Sequence, residues 1–136
     1  MSYSQLSIVY VEDDPASRNI MSILLSRVMR CPAVTIWEDS ADFLDKVANL
    51  PAKPNLFLLD IHVAPIDGFG LLKLLRTIPD YDQAKIIALT ASVTTSEVNT
   101  LRETGFDGLI GKPIKQASFP TLIDRIIAGA PVWMVS

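Results

Sequence analysis

Residues 55–60 read Asn-Leu-Phe-Leu-Leu-Asp (NLFLLD), and this stretch decides the fold class. Its apolar residues follow one another with no polar residue between them, which is typical of a strand buried on both faces of a parallel sheet. A half-exposed strand would instead alternate apolar and polar residues. The stretch therefore predicts a parallel sheet that is covered by helices on both faces.

Short apolar runs alternate with helix-like stretches along the rest of the chain. The other predicted strands are Gln5–Val11, Val34–Trp37, Lys85–Leu89 and Gly108–Gly111. The predicted helices are Pro15–Met29, Ser40–Leu50, Asp67–Ile78, Thr94–Thr104 and Ser118–Ala128. Strict alternation with short connections predicts a doubly wound (βα)5 fold, an α/β architecture with a parallel five-stranded sheet.

Local signals mark how two of these helices begin and which face the first one buries. Asp14 stands before Pro15 and is predicted to cap the first helix, with metal ligation as the less favoured alternative. Thr94 is followed by a glutamate three residues later, which is the pattern of a capping box. The buried stripe of the first helix is predicted from helical spacing to be Ile20, Ile23, Leu24 and Val28.

The composition is that of one globular domain. The chain has 136 residues, of which 49% are apolar and 20% charged, with a net charge of −3 and no Lys/Arg-rich run. These values argue against direct nucleic-acid binding. No apolar stretch is long enough for a membrane span and the N-terminus is unlike a signal peptide, so we expect a cytoplasmic protein. Cys31 is the only cysteine and excludes an intrachain disulfide.

Polar residues follow four of the predicted strands at their carboxyl ends. They are Glu12, Asp13 and Asp14 after the first strand, Asp60 after the third, Thr90 after the fourth and Lys112 after the fifth. In a parallel sheet these ends meet at one edge, where ligands bind. Adjacent carboxylates repel one another, and a divalent cation such as Mg²⁺, which prefers oxygen ligands, would offset that repulsion.

This set of groups suits phosphoryl transfer. A carboxylate beside a metal can attack phosphorus and form an aspartyl phosphate. The metal, a lysine and a hydroxyl would then stabilise the charge on the phosphoryl oxygens.

Four segments together resemble the response-regulator receiver domain of two-component signalling, the CheY-like family. They are VYVEDDPASR (9–18), LFLLDIHVAPIDGF (56–69), ALTAS (88–92) and IGKPI (110–114). The resemblance implies a flavodoxin-like fold over residues 1–129, followed by a short apolar tail over residues 130–136. It also implies a cis peptide bond between Lys112 and Pro113.

The resemblance also implies a role for each residue of the site. Asp60 would be the phosphoacceptor, and Glu12 and Asp13 the acid pair, with Asp13 a direct Mg²⁺ ligand and Glu12 acting largely through water. The backbone carbonyl of His62 would also face the metal. Thr90 would hydrogen-bond the phosphoryl group and Lys112 would form an ion pair with it.

The chain departs from the usual pattern of this family at three positions. Ala64 stands where a proline is usual, and Pro65 follows one residue later. Leu109 replaces the usual aromatic residue of the fifth strand. His62 places an imidazole beside the site, where it is either an ordinary solvent-facing side chain or a group that contacts the water attacking the acyl phosphate.

The leading hypothesis is a signalling switch rather than a metabolic enzyme. Asp60 would accept a phosphoryl group from a sensor histidine kinase or a phosphotransfer protein, and the modified domain would change its contacts with a downstream protein. By analogy, those contacts would involve the fourth helix, fifth strand and fifth helix. A docking module that is independent of phosphorylation is the alternative. An aspartate-nucleophile phosphatase is less favoured, because that class needs a second acid where His62 stands.

Overall fold

A computed structural model describes residues 3–134 of the chain. The strands are β1 (Ser7–Val11), β2 (Ala33–Trp37), β3 (Leu56–Asp60), β4 (Lys85–Thr90), β5 (Gly108–Gly111) and β6 (Val132–Met134). The α-helices are α1 (Pro15–Ser22), α2 (Phe43–Ala48), α3 (Gly68–Arg76), α4 (Thr95–Thr104) and α5 (Phe119–Ile127). A π-helical segment, Ile23–Val28, continues α1, and a 3-10 turn, Pro79–Tyr81, follows α3.

All strands are parallel, in the order β2-β1-β3-β4-β5-β6. Every residue of β1 and β3 is buried, as the uninterrupted apolar run of β3 predicts. The chain leaves β1 toward one edge of the sheet and returns to β3 on the other side of β1. This reversal of strand order opens a crevice at the carboxyl ends of β1 and β3, where ligands bind in folds of this type.

The predicted doubly wound α/β fold with a parallel sheet is confirmed, and the sheet has a sixth strand beyond the five predicted. Val132, in the predicted tail, pairs with Gly108 of β5, and Trp133 pairs with Leu109. The close approach depends on Gly108, because a Cβ atom there would lie 2.7 Å from the carbonyl oxygen of Val132. Gly129, with φ of +81°, reverses the chain between α5 and the new strand. The fully buried Val132 side chain then joins the core.

The buried face of the first helix also differs from the prediction. Ile20, Ile23 and Val28 are exposed, and of the predicted stripe only Leu24 is buried. The helix has apolar residues on more than one face, and the core takes the face that carries Met21, Leu24 and Leu25. Past that point the wider π-helical turn shifts the register, so Met29 is buried instead of Val28.

Helix caps follow the sequence signals. The Asp14 carboxylate accepts hydrogen bonds from the backbone N–H of Ser17 at 2.9 Å and from its hydroxyl at 2.6 Å, so the N-cap prediction is confirmed. The Thr94 hydroxyl accepts the Glu97 N–H at 3.2 Å. Within residues 3–134, no helix combines the length and apolar character that a membrane span requires.

The core has two parts, one on each side of the sheet. The part beneath the first and last helices contains Ile8, Tyr10 and Phe119, and the opposite part contains Val9, Val11 and Phe57. Side chains alternate between the faces of a strand, so Tyr10 of β1 projects toward the same side as the residue two positions later, Glu12. The core is therefore continuous with the acidic edge at this point.

Candidate active site at the carboxyl edge of the sheet

Three carboxylates meet where β1 and β3 end. Glu12, Asp13 and Asp60 each place one oxygen atom within 4.8 Å of the others. Glu12 and Asp60 are buried, whereas Asp13 is exposed. The cluster therefore faces the core on one side and solvent on the other. Its donor set consists of carboxylate oxygens and is open to water, which is what a hard divalent cation requires.

Lys112 lies between the two buried carboxylates. Its Nζ is 2.9 Å from Glu12 Oε1 and 3.3 Å from Asp60 Oδ2. The backbone N–H of Lys112 donates to the Thr90 carbonyl at 2.8 Å, which fixes the end of β5 against β4. The Lys112–Pro113 bond is cis, as the resemblance implies. An ammonium group is thus held beside Asp60, where a phosphoryl group on that residue would need a cation.

Glu12 is fully buried and accepts hydrogen bonds from three directions. In addition to Lys112, the Tyr10 hydroxyl donates to Oε1 at 3.1 Å and the Asp14 N–H reaches Oε2 at 3.3 Å. Burial raises the pKa of Glu12 to about 7, and the neighbouring Asp60 carboxylate acts in the same direction, while Lys112 opposes the rise. Glu12 consequently takes up a proton far more readily than an exposed glutamate does.

Asp60 shows the opposite behaviour. Burial alone would raise its pKa, but the neighbouring Glu12 carboxyl group, the hydrogen bond from the His62 N–H (3.0 Å to Oδ1) and Lys112 hold the pKa below its usual value. The Asp60 carboxylate therefore stays ionised. The pKa of Lys112 is raised by Glu12 and Asp60 although burial opposes this, so the ammonium keeps its charge.

Thr90 and His62 are the remaining predicted site residues. Thr90 ends β4 beside β3, and its buried hydroxyl accepts the Ser92 N–H at 3.1 Å. The His62 side chain is exposed, and its backbone N–H is the group that contacts Asp60. It remains a prediction that Thr90 contacts a phosphoryl group. It also remains a prediction that the His62 carbonyl binds a metal.

Two residues that support the site were missed by the sequence reasoning. Ser40 is fully buried, donates to the Ile66 carbonyl at 2.6 Å and accepts the Ile66 N–H at 2.7 Å, so it anchors the loop after Asp60. In that loop the Ala64–Pro65 bond is cis. Tyr10 supports Glu12 from the core. Its spacing of two residues before Glu12 in a strand was a usable signal, whereas nothing local in the sequence marks Ser40.

The sequence model of the response regulator receiver domain family matches residues 8–124 of the chain. The chain belongs to this family. The match contains β1 from its second residue, all of β2 to β5, and all the predicted site residues. Receiver domains are signalling modules of two-component phosphorelay systems rather than metabolic enzymes.

Curated relatives include much longer proteins. Over 92% of its length this receiver domain is 26% identical to the osmosensing histidine protein kinase SLN1 of Saccharomyces cerevisiae, of which the match covers 10%. It is 23% identical to the histidine-protein kinase BarA of Escherichia coli over 93% of its length and 13% of that protein. It therefore spans about a tenth of the kinases that it matches.

Solved structures agree on the fold. The chemotaxis protein CheY4 of Vibrio cholerae has a TM-score of 0.79 at 20% identity, covering 90% of this chain and 99% of that one. The receiver domain of the sensor histidine kinase PA1611 of Pseudomonas aeruginosa, solved with magnesium in its active-site cleft, has a TM-score of 0.77 at 22% identity. It covers 92% of this chain and 99% of that one.

Proposed function

We propose that this receiver domain is a switch that is phosphorylated on Asp60 in a Mg²⁺-dependent reaction. The observation that carries the proposal is the position of Lys112 Nζ, which joins the buried Asp60 and Glu12 carboxylates beside the exposed Asp13. A nucleophile, a fixed cation and a partly hydrated acidic cluster are the components that phosphoryl transfer to a carboxylate needs.

Asp13 and Asp60 would hold Mg²⁺ directly, Glu12 through water, and the His62 carbonyl would complete the protein ligands. When bound, the metal offsets negative charge on the phosphoryl oxygens. The magnesium in the PA1611 receiver domain supports this assignment. Mg²⁺ is favoured over a larger cation by the small number of protein carboxylates and by the exposed side of the cluster at Asp13, since Mg²⁺ usually keeps several waters.

The donor would be a phosphohistidine of a sensor histidine kinase or a phosphotransfer protein. An Asp60 carboxylate oxygen would attack phosphorus while the phosphorus–nitrogen bond breaks, and the imidazole nitrogen would keep the electron pair and take up a proton. Lys112 would then move its interaction from the carboxylate to the new phosphoryl oxygens, and the Thr90 hydroxyl would donate to one of them. Hydrolysis of the acyl phosphate would reset the switch.

The downstream partner would contact the face formed by α4, β5 and α5. Here β6 lies against β5, so the surface offered to a partner includes β6. Trp133 of β6 packs beneath the Arg102 guanidinium of α4, with 4.8 Å between the guanidinium carbon and the ring centroid. A partner at this face would therefore contact residues outside the five-stranded pattern.

Intact-protein mass spectrometry tests the proposal. The protein and the variant Asp60→Asn are incubated with acetyl phosphate in the presence and absence of Mg²⁺. Asp67→Asn, which changes the carboxylate that caps α3, serves as the control. We expect one phosphoryl adduct that requires both Mg²⁺ and Asp60. No adduct on the wild type despite Mg²⁺ binding would overturn the switch and favour a docking module. Sustained hydrolysis of a phosphomonoester would favour a phosphatase.

A further inference from the structure

Tyr10 is a buried phenol whose hydroxyl points at the acidic site. Its ring is fully buried in the core beneath the first and last helices, together with Leu58, Ile110 and Phe119. Its hydroxyl donates to Glu12 Oε1 at 3.1 Å. A phenylalanine would fill the same space, so packing does not explain the hydroxyl.

Lys112 connects Glu12 to the Asp60 carboxylate. Glu12 accepts Lys112 Nζ on both oxygens, at 2.9 Å and 3.1 Å, and the same Nζ lies 3.3 Å from Asp60 Oδ2. The lysine side chain is long and 20% exposed, so its position depends on the groups that hold its end. Glu12 supplies more of those contacts than Asp60 does.

We propose that Tyr10 is a positioning residue that fixes Glu12 and, through it, places Lys112 Nζ against Asp60. The inference rests on the proposed function for its effect on phosphorylation. The hydroxyl approaches Glu12 from the rigid core, whereas the Asp14 N–H approaches it at 3.3 Å from the start of α1. Without the phenol oxygen, Glu12 Oε1 keeps only the lysine as a donor, and both side chains gain freedom to move together.

The test compares Tyr10→Phe with Tyr81→Phe, a buried tyrosine on the other side of the sheet. The position of Lys112 is read without metal or phosphoryl donor, from the rate at which an N-hydroxysuccinimide ester acetylates it, measured by peptide mass spectrometry. The exposed Lys53 is the internal reference. We expect Tyr10→Phe to raise labelling of Lys112 about three- to tenfold, the range that the net contribution of one typical hydrogen bond supports, without changing Lys53.

A double-variant cycle with Glu12→Gln tests whether Tyr10 acts through Glu12. If it does, the ester labels Lys112 no faster in the double variant Tyr10→Phe/Glu12→Gln than in Glu12→Gln alone. Unchanged labelling of Lys112 in Tyr10→Phe would overturn the proposal. A parallel rise at Lys53 and Lys112, or the same rise in Tyr81→Phe, would also overturn it, because it would show general loosening of the fold.

The initial rate of adduct formation with acetyl phosphate and Mg²⁺ then reports the functional consequence. We expect this rate to fall in Tyr10→Phe by a factor similar to the rise in labelling, while Mg²⁺ affinity stays within about twofold because the two proposed direct ligands, Asp13 and Asp60, are untouched. Equal loss of Mg²⁺ affinity and rate would instead place Tyr10 in metal binding. If the wild type forms no adduct, the proposed function fails, and the labelling experiment still decides the role of Tyr10.

Discussion

Lys112, after β5, and Glu12, after β1, are 100 residues apart in sequence, yet Nζ and Oε1 lie 2.9 Å apart. This ion pair crosses the site above β3 and carries the ammonium to Asp60 at 3.3 Å. The positive charge that the proposed phosphoryl transfer needs is thus already in place without metal. It is held by a glutamate that is itself fully buried.

Replacing Lys112 by glutamine should destabilise the protein in the absence of metal and increase its dependence on Mg²⁺. Two buried carboxylates would lose their cation. Breaking a fully buried ion pair costs about 3–5 kcal/mol, and because the Lys112 side chain is 20% exposed we expect a smaller loss of about 2–3 kcal/mol in the free energy of unfolding. Mg²⁺ should restore more stability to the variant than to the wild type. Urea titrations with EDTA and with Mg²⁺ measure both effects. The exposed Lys115→Gln is the control, and equal Mg²⁺ increments in the variant and the wild type would contradict the expectation.

The stability of the metal-free protein should fall as pH rises from about 4.5 to about 7. The pKa of Glu12 is about 7 in the folded protein, whereas an unfolded glutamate has a pKa of about 4.3. Between these values the folded state holds a proton that the unfolded state has lost, so this contribution is complete below the lower pKa and is lost through the higher one. Asp60, whose pKa is lowered, acts only in more acidic solution.

Glu12→Gln isolates that contribution. We expect the wild type to lose on the order of 2 kcal/mol across this range, beyond any change shared with the variant. Urea unfolding in EDTA at several pH values measures the difference, with the exposed Glu97→Gln as control. Parallel pH profiles for the wild type and Glu12→Gln would show that Glu12 does not hold the proton.

Ser40→Ala should loosen the loop that follows Asp60. The Ile66 N–H and carbonyl would both lose their partner at 2.7 Å and 2.6 Å, at a cost of about 1–3 kcal/mol in stability. Because Asp60 Oδ1 accepts the N–H of His62 in the same loop, we also expect slower phosphorylation. Thermal unfolding and adduct formation test this, and the exposed Ser26→Ala provides the control. A stable variant with a normal rate would remove Ser40 from the support of the site.

Gly108→Ala should release β6 from the sheet. A methyl group at this position would meet the Val132 carbonyl oxygen at 2.7 Å, in backbone that has little room to shift. We expect a loss of about 1–3 kcal/mol, with faster amide hydrogen exchange in Val132–Met134. β2, at the opposite edge of the sheet, is the internal reference and should exchange unchanged. Protection of β6 equal to that in the wild type would contradict this account of the glycine.

The position of the site could be predicted because it depends on strand ends. A buried strand followed by Asp60 and another followed by Lys112 must bring those residues to one edge once the strands are parallel. The Asp14 cap could also be predicted, because the proline that follows it is typical of the first position of a helix. What remained hidden depends on tertiary packing. Ser40, which anchors the loop after Asp60, acts through Ile66, a partner 26 residues away.

The first helix and the last strand show the same limit. Apolar residues occur on several faces of the first helix, and the choice of Met21 and Leu25 over Ile20 and Ile23 is made by the core beneath it. Val132–Met134 is too short for a strand to be predicted from its sequence alone. Its pairing with β5 depends on Gly108, because only a residue without a Cβ atom leaves room for the Val132 carbonyl. Periodicity ranks the candidate faces of a helix, but it cannot say which face the rest of the chain covers.

The strand order also places a natural optical probe at each border of the sheet. The two tryptophans of the chain, Trp37 in β2 and Trp133 in β6, lie on the outermost strands, about 24 Å apart from the usual spacing of strands. The Trp37 carbonyl accepts the Glu12 N–H at 3.0 Å, and Trp133 packs on Arg102. Fluorescence of Trp133→Phe, which retains Trp37, would therefore follow the acidic site, and that of Trp37→Phe, which retains Trp133, would follow the α4 border, without an added dye.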